Sequence, residues 1–265
     1  MTPETAPTKL RSAAGVDITV QQPAGPRRLG HALYGLYAWS MLAAVALPTA
    51  IALLCTPELE RRRRLARRAA RAFLAAIGSR LRIVGAEIGG TAPCIVVANH
   101  ASYFDGIVLQ AALPPRFSFL IKHDMAHMPL AGFMLRRIGS QFVDRGDPRH
   151  RHRTARRLVA AAASGDALVV FPEGTFDAAP GLKPFQMGAF LAAWRTQGTV
   201  LPAVIRGTRR KLPPGAWLPA PGPVEVCFCP PLAARDYPDA RALMAAARAA
   251  ICAHLEVGTA SAATQ

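Results

Sequence analysis

Five apolar residues, Cys94-Ile95-Val96-Val97-Ala98, stop abruptly at the polar heptapeptide Asn99-His100-Ala101-Ser102-Tyr103-Phe104-Asp105. The run is short, β-branched and bounded by turn formers, so it reads as a strand buried on both faces, the pattern of a parallel sheet covered by helices. In such sheets the C-terminal end of a strand faces the crevice where ligands bind, and His100 sits at that end. Five residues along one ideal helix are separated by roughly 140° of rotation. His100 and Asp105 can therefore meet only if the chain turns between them on its way into a helix.

The segments around this run alternate in the same way. Strand patterns occupy residues 82–88, 117–121 (ending at Lys122), 140–143, 167–171, 200–205 and 224–229. Helical patterns fill 149–163, closed by Gly165, and 240–255. Alternation of this kind predicts an α/β fold: a single domain with a mostly parallel central sheet flanked by helices, spanning residues 79–257 and followed by a small flexible tail over 258–265. Pro202 within 200–205 is expected to limit strand pairing and to shape a wall.

The residues before this domain have another character. Residues 1–30 are rich in Pro and Gly and read as a flexible leader. From Ala32 to Cys55 no residue carries a formal charge, a length sufficient for a helix to cross a hydrocarbon core of about 30 Å. Arg27 and Arg28 precede it, whereas Arg61, Arg62, Arg63, Arg64, Arg67, Arg68 and Arg71 follow it, which places the following domain on the cytoplasmic face. That basic block opposes translocation, so a secretory signal is the weaker reading. Spanning the membrane and lying in one leaflet both fit the segment, with Tyr34, Tyr37 and Trp39 as interfacial aromatics. Residues 61–80 carry an apolar stripe among the arginines, which suits an anionic membrane surface or a helix packed on the core. Residues 31–78 thus form a hydrophobic membrane segment and a basic amphipathic helix.

The chain carries 32 basic against 16 acidic residues, a net charge of +16. This favours acidic partners, but basic-aromatic interleaving and recognisable binding motifs are lacking, which argues against nucleic acid. The five cysteines, Cys55, Cys94, Cys227, Cys229 and Cys252, show no C-x-x-C spacing and read as free thiols. His150 and His152 have no third ligand spaced to join them, so no metal site is expected.

A histidine with a carboxylate partner makes a general base. No G-x-S-x-G nucleophile elbow occurs, so the group His100 activates is a substrate hydroxyl rather than a protein serine, and Ser102 reads as a helix cap. Two further stretches end predicted strands and can share the crevice. In Phe142-Val143-Asp144-Arg145, Arg145 can hold a phosphate bidentately or form an ordinary salt bridge. In Phe171-Pro172-Glu173-Gly174-Thr175-Phe176, a carboxylate and a hydroxyl flank a glycine that permits a tight turn.

Taken together, Asn99-His100 through Asp105, Phe142-Val143-Asp144-Arg145, Phe171-Pro172-Glu173-Gly174-Thr175 and Val200-Leu201-Pro202 resemble, in order and spacing, the four blocks of the glycerolipid O-acyltransferases, the 1-acylglycerol-3-phosphate acyltransferases and their relatives. Lys122 with Pro129 and Gly132, and the stretch from Lys183 to Phe190, extend the likeness. The resemblance implies transfer of a fatty acyl group from acyl-CoA or acyl carrier protein to the free hydroxyl of a lysolipid, foremost 1-acyl-sn-glycerol-3-phosphate, in phospholipid biosynthesis. It implies that His100 is the base, that Asp105 orients it and that Arg145 binds the acceptor's phosphate. Glu173, Gly174 and Thr175 line the acceptor site, Lys122 contributes to binding, and no cofactor is needed. The chain departs from the family where Phe176 stands in place of a common arginine, so another lysolipid, such as lyso-ornithine lipid or a lysophospholipid, is the alternative acceptor. Lys183, Arg209, Arg210 or the arginines from 149 to 157 are candidates to replace the missing cation. The rival from another class is a non-catalytic basic membrane-binding protein.

Overall fold

The computed structural model describes residues 25–85, 94–143, 148–177, 179 and 181–262. Its strands are β1 (Leu81–Gly85), β2 (Cys94–Ala98), β3 (Phe117–Lys122), β4 (Gln141–Val143), β5 (Ala167–Val170), β6 (Thr199–Arg206), β7 (Val224–Phe228) and β8 (Leu232–Ala233). They form one sheet in the order β1-β7-β6-β2-β5-β3-β4, with β8 paired to β6. The β2, β3, β4, β5 and β6 pairings are parallel, while β7 and β8 run antiparallel to β6. The sheet is therefore mostly parallel, as the alternation of strands and helices predicts.

The helices are α1 (Gly25–Cys55), α2 (Leu59–Ala76), α3 (Phe104–Ala112), α4 (Pro129–Arg137), α5 (Pro148–Ala163), α6 (Gly188–Arg195), α7 (Thr208–Lys211) and α8 (Ala240–Ala262). Side chains alternate across each strand, which divides the core in two. Val96 and Ala98 face a cluster with Phe73 and Leu74 of α2 and Phe104 and Val108 of α3. Ile95 and Val97 face the other cluster, with Leu158 of α5, Phe190 of α6 and Leu243 of α8. All five residues of β2 are buried, as expected for a strand covered on both sides. The closing helix continues past Leu255 into the stretch read as a tail, and α1 begins within the stretch read as a leader.

Pro202 leaves the pairing with β2 unbroken, and the β6–β7 ladder ends beside it. It lies mid-strand, in register with Val97 on one side, while its carbonyl accepts a hydrogen bond from the Cys229 N–H at 2.9 Å on the other. A residue's N–H and C=O point to the same side of a strand, so the missing donor faces the β7 side, just beyond the last β7 residue, and the β2 ladder is intact.

The basic helix α2 uses much of its charge internally. Arg63 donates to the carbonyls of Ile138 and Arg116, Arg67 to those of Ala111 and Ala112, and Arg71 to that of Ala111. The carbonyls of Ala111, Ala112 and Ile138 lie at the C-terminal ends of α3 and α4, which lack intrahelical partners and carry partial negative charge, whereas that of Arg116 lies in the connection before β3. Helix α1 is continuous and lies along α2: Tyr34 and Tyr37 donate their hydroxyls to the carbonyls of Ile77 and Ala76. The aromatic tips read as membrane anchors are thus tertiary hydrogen-bond donors.

Candidate active site

The adjacent parallel strands β5 and β2 end side by side while β6 runs on past Ala203, the partner of Ala98, to Arg206, and the chain at these ends contributes to one site. Immediately after β2, the Asn99 side chain accepts from the Ile205 N–H at 2.7 Å and donates to the Ile205 carbonyl at 3.1 Å. This side chain extends the β2–β6 ladder beyond its last backbone pair and fixes where the next residue starts. The chain then turns, and His100 Nδ1 lies 2.9 Å from Asp105 Oδ2.

The same Asp105 oxygen accepts the backbone N–H groups of Ala101 at 2.6 Å and Ser102 at 2.8 Å. Asp105 is fully buried in the first turn of α3, where the helix dipole favours a carboxylate. One carboxylate therefore shapes the turn and orients the imidazole. With Nδ1–H donated to Asp105, Nε2 carries the lone pair that a base requires. Ser102 is buried as well: its hydroxyl donates to the Leu212 carbonyl at 2.8 Å and accepts from the Phe104 N–H at 3.1 Å. It caps and tethers the turn, and its burial removes it as a nucleophile.

After β5, Glu173 Oε1 accepts the His100 backbone N–H at 2.7 Å and Oε2 accepts the Lys183 N–H at 2.7 Å. Burial pushes the Glu173 carboxyl above its usual range, and the two N–H donors oppose that shift. Gly174 adopts φ +80°, a conformation that a side chain would strain. The His100 ring stacks on Phe171 with centroids 4.2 Å apart and meets Phe176 edge-on at 4.4 Å. Phe176 also meets Tyr103 edge-on at 4.8 Å. The position where the family commonly has a cation therefore packs against the imidazole instead.

His100, Asp105 and Glu173 are brought together, and Gly174 and Thr175 follow directly on the same loop, Thr175 being exposed. Lys122 ends β3, which β5 separates from β2, and it pairs with Asp124. Arg145 lies outside the described residues. Among the candidate replacements for the missing cation, Lys183 pairs with Asp177, and Arg209 donates to the Ala179 carbonyl at 3.0 Å. Among the described residues no group of three or more His, Cys, Asp or Glu is placed to hold a metal.

Sequence reasoning missed Phe171 and Tyr103 as ring partners and the role of Leu212 and Lys211. Lys211 is buried, with Nζ donating to the Ala220 carbonyl at 3.1 Å, 3.4 Å from the Tyr34 hydroxyl and 6.0 Å from the Phe104 ring centroid. No local pattern distinguishes this lysine from Arg209 and Arg210 beside it.

Residues 80–206 match the family model described as Acyltransferase. The chain is 32% identical over 124 residues to a chloroplastic 1-acyl-sn-glycerol-3-phosphate acyltransferase of Brassica napus, covering 47% of this chain and 36% of that protein. It is 37% identical over 113 residues to a lysophosphatidylcholine acyltransferase of Drosophila melanogaster, covering 42% of this chain and 21% of that protein. The match thus spans about a third or less of each relative. The crystal structure of the 1-acyl-sn-glycerophosphate acyltransferase PlsC from Thermotoga maritima has the same fold, with a TM-score of 0.75 over 88% of this chain and 98% of that structure at 21% identity.

Proposed function

Because residues 80–206 match the Acyltransferase family model, we propose that the protein transfers a fatty acyl group from a thioester, acyl-CoA or acyl carrier protein, to the free hydroxyl of a lysolipid in glycerolipid synthesis. The observation that carries this reading is the His100–Asp105 pair at the C-terminal edge of a buried parallel strand, bonded through Nδ1 so that Nε2 carries the lone pair. In the reaction His100 Nε2 takes the proton as the acceptor oxygen attacks the thioester carbonyl. The C–S bond then breaks and the thiolate leaves; a thiol of pKa about 8.5 needs little acid assistance. Asp105 holds the ring and stabilises its charged form, and Glu173 fixes the main chain beneath it.

The leading acceptor is 1-acyl-sn-glycerol-3-phosphate, with Arg145, Lys122, Gly174 and Thr175 on the acceptor side. A second reading rests on Phe176: an aromatic ring against His100 favours an acceptor whose head group needs one cation fewer, such as lyso-ornithine lipid or a lysophospholipid. Residues 79–257 form the catalytic unit. Helices α1 and α2 hold it at the cytoplasmic face of the membrane, with α1 lying in one leaflet, because α1 is fastened along the domain and does not project from it. The test offers labelled acyl-CoA and acyl carrier protein with a panel of lysolipids to the purified protein. Transfer by the wild type and none by His100→Ala is the expected result; full activity of that variant refutes the mechanism.

A further inference from the structure

The outer face of α1 is bare. Leu29, Leu33, Leu36, Leu47, Ile51 and Leu54 are each more than half exposed, along a helix with no formal charge from Leu29 to Cys55. Its serine and threonine hydroxyls are satisfied within the helix: Ser40 donates to the Leu36 carbonyl and Thr49 to that of Val45, while Thr56, just past its end, donates to that of Ala52. A protein interface ordinarily has a polar rim and direct hydrogen bonds, whereas lipid requires internal satisfaction of this kind.

A second element remote in sequence reaches α1. The segment 212–223 contains Pro213, Pro214, Pro219, Pro221 and Pro223, each fixing its own φ. It is fastened to α1 at two points: the Trp39 indole N–H donates to the Trp217 carbonyl at 2.8 Å, and the absence of a side chain at Gly35 admits Leu218, whose Cβ would lie 2.8 Å from any Cβ there. Its base is tied by the Ala220 N–H to the Lys211 carbonyl at 2.7 Å, and Leu212 accepts the Ser102 hydroxyl of the catalytic turn. From this secured backbone the Trp217 side chain points into solvent, 85% exposed. An indole has a large apolar body and one N–H, the combination that settles at the headgroup level of a bilayer.

We propose that segment 212–223 is a second membrane-contact element, which seats the Trp217 indole in the headgroup layer of the same leaflet that α1 enters. The inference rests on the membrane reading of α1 given above. Because Leu212 is bonded to the catalytic turn, the seating of Trp217 sets the height of His100 above the acyl chains.

The test compares the wild type with Trp217→Phe in vesicles of phosphatidylethanolamine and phosphatidylglycerol carrying brominated acyl chains. The difference in emission, which isolates Trp217, should shift to shorter wavelength and be quenched on vesicle binding. Trp217→Ala should weaken vesicle partition about tenfold, the size of effect expected for losing one partly seated aromatic side chain. Flotation with the vesicles but an unshifted, unquenched difference emission overturns the role of the segment and leaves the reading of α1 standing. Failure of the wild type to float overturns both. A lipid-free dimer that Trp217→Ala dissociates assigns the patch to a second copy of the chain and overturns the proposal as well.

Discussion

Glu173 holds His100 by its main chain rather than by its ring: Oε1 accepts the His100 N–H at 2.7 Å while Oε2 accepts the Lys183 N–H at the same distance. Two main-chain donors thus converge on one buried carboxylate, and the loop that follows β5 positions the turn that follows β2. Glu173→Gln retains the shape but turns an amide NH2 toward one of those donors. The expected loss is about 1–3 kcal/mol, the cost of an unsatisfied buried group, together with a fall in kcat as the turn shifts. Urea unfolding and turnover that both match the wild type would remove Glu173 from this role.

Asp105 and His100 should separate in their effects. His100→Ala removes a general base and is expected to lower kcat by about 10²–10⁴ with little change in unfolding midpoint. Asp105→Asn disturbs the imidazole and also the bonds to the Ala101 and Ser102 N–H groups, so it should additionally cost about 0.5–2 kcal/mol of stability, as the loss of a cap does. Equal stability of the two variants contradicts the dual role.

Phe176 packs edge-on against both His100 and Tyr103. Phe176→Arg introduces a cation at this position, and kcat/KM for 1-acyl-sn-glycerol-3-phosphate is expected to rise relative to lyso-ornithine lipid and zwitterionic lysophospholipids. If the ratio is unchanged across the acceptor panel, Phe176 does not select the head group.

The thiols should differ in reactivity. Burial pushes Cys94 and Cys229 up to about 11 each, so at pH 8 only about one part in a thousand is thiolate. Cys55 is exposed. Timed alkylation followed by mass spectrometry should label Cys55 first and Cys94 and Cys229 only on unfolding.

Lys211 should give stability a pH dependence of defined sign. Burial lowers its pKa below the usual 10.5, so the unfolded chain binds the proton more tightly than the folded one. The penalty for burying the charge is full below the lowered value and is relieved as pH rises from there to about 10.5. Relative to Lys211→Met, the wild type should therefore gain stability through that window, as read by urea midpoints at successive pH values. A constant difference would mean that Lys211 does not titrate there.

The strands were legible because each buried one is a short β-branched run, and such runs suit few other places. β2, β3 and β5 lie within one residue of the expected ends. Pro202 limits pairing on the β7 side alone, and a local rule about proline in strands cannot anticipate which neighbour the missing donor faces. The arginines of α2 were legible as a basic face but not as caps, since the carbonyls they meet lie about 40–75 residues away in the chain.

Sequence by itself determined the class of fold, the strand-end position of His100 and the need for a turn before Asp105, because these follow from hydrophobic periodicity and the reach of a few residues. Tertiary structure alone decided that Glu173 grips the His100 main chain and that Phe171 and Phe176 enclose its ring. It also decided that Lys211 and the proline-rich segment bridge α1 to the catalytic turn. Each of these depends on which strands become neighbours, and that is settled by packing over the whole sheet rather than by any local run of residues.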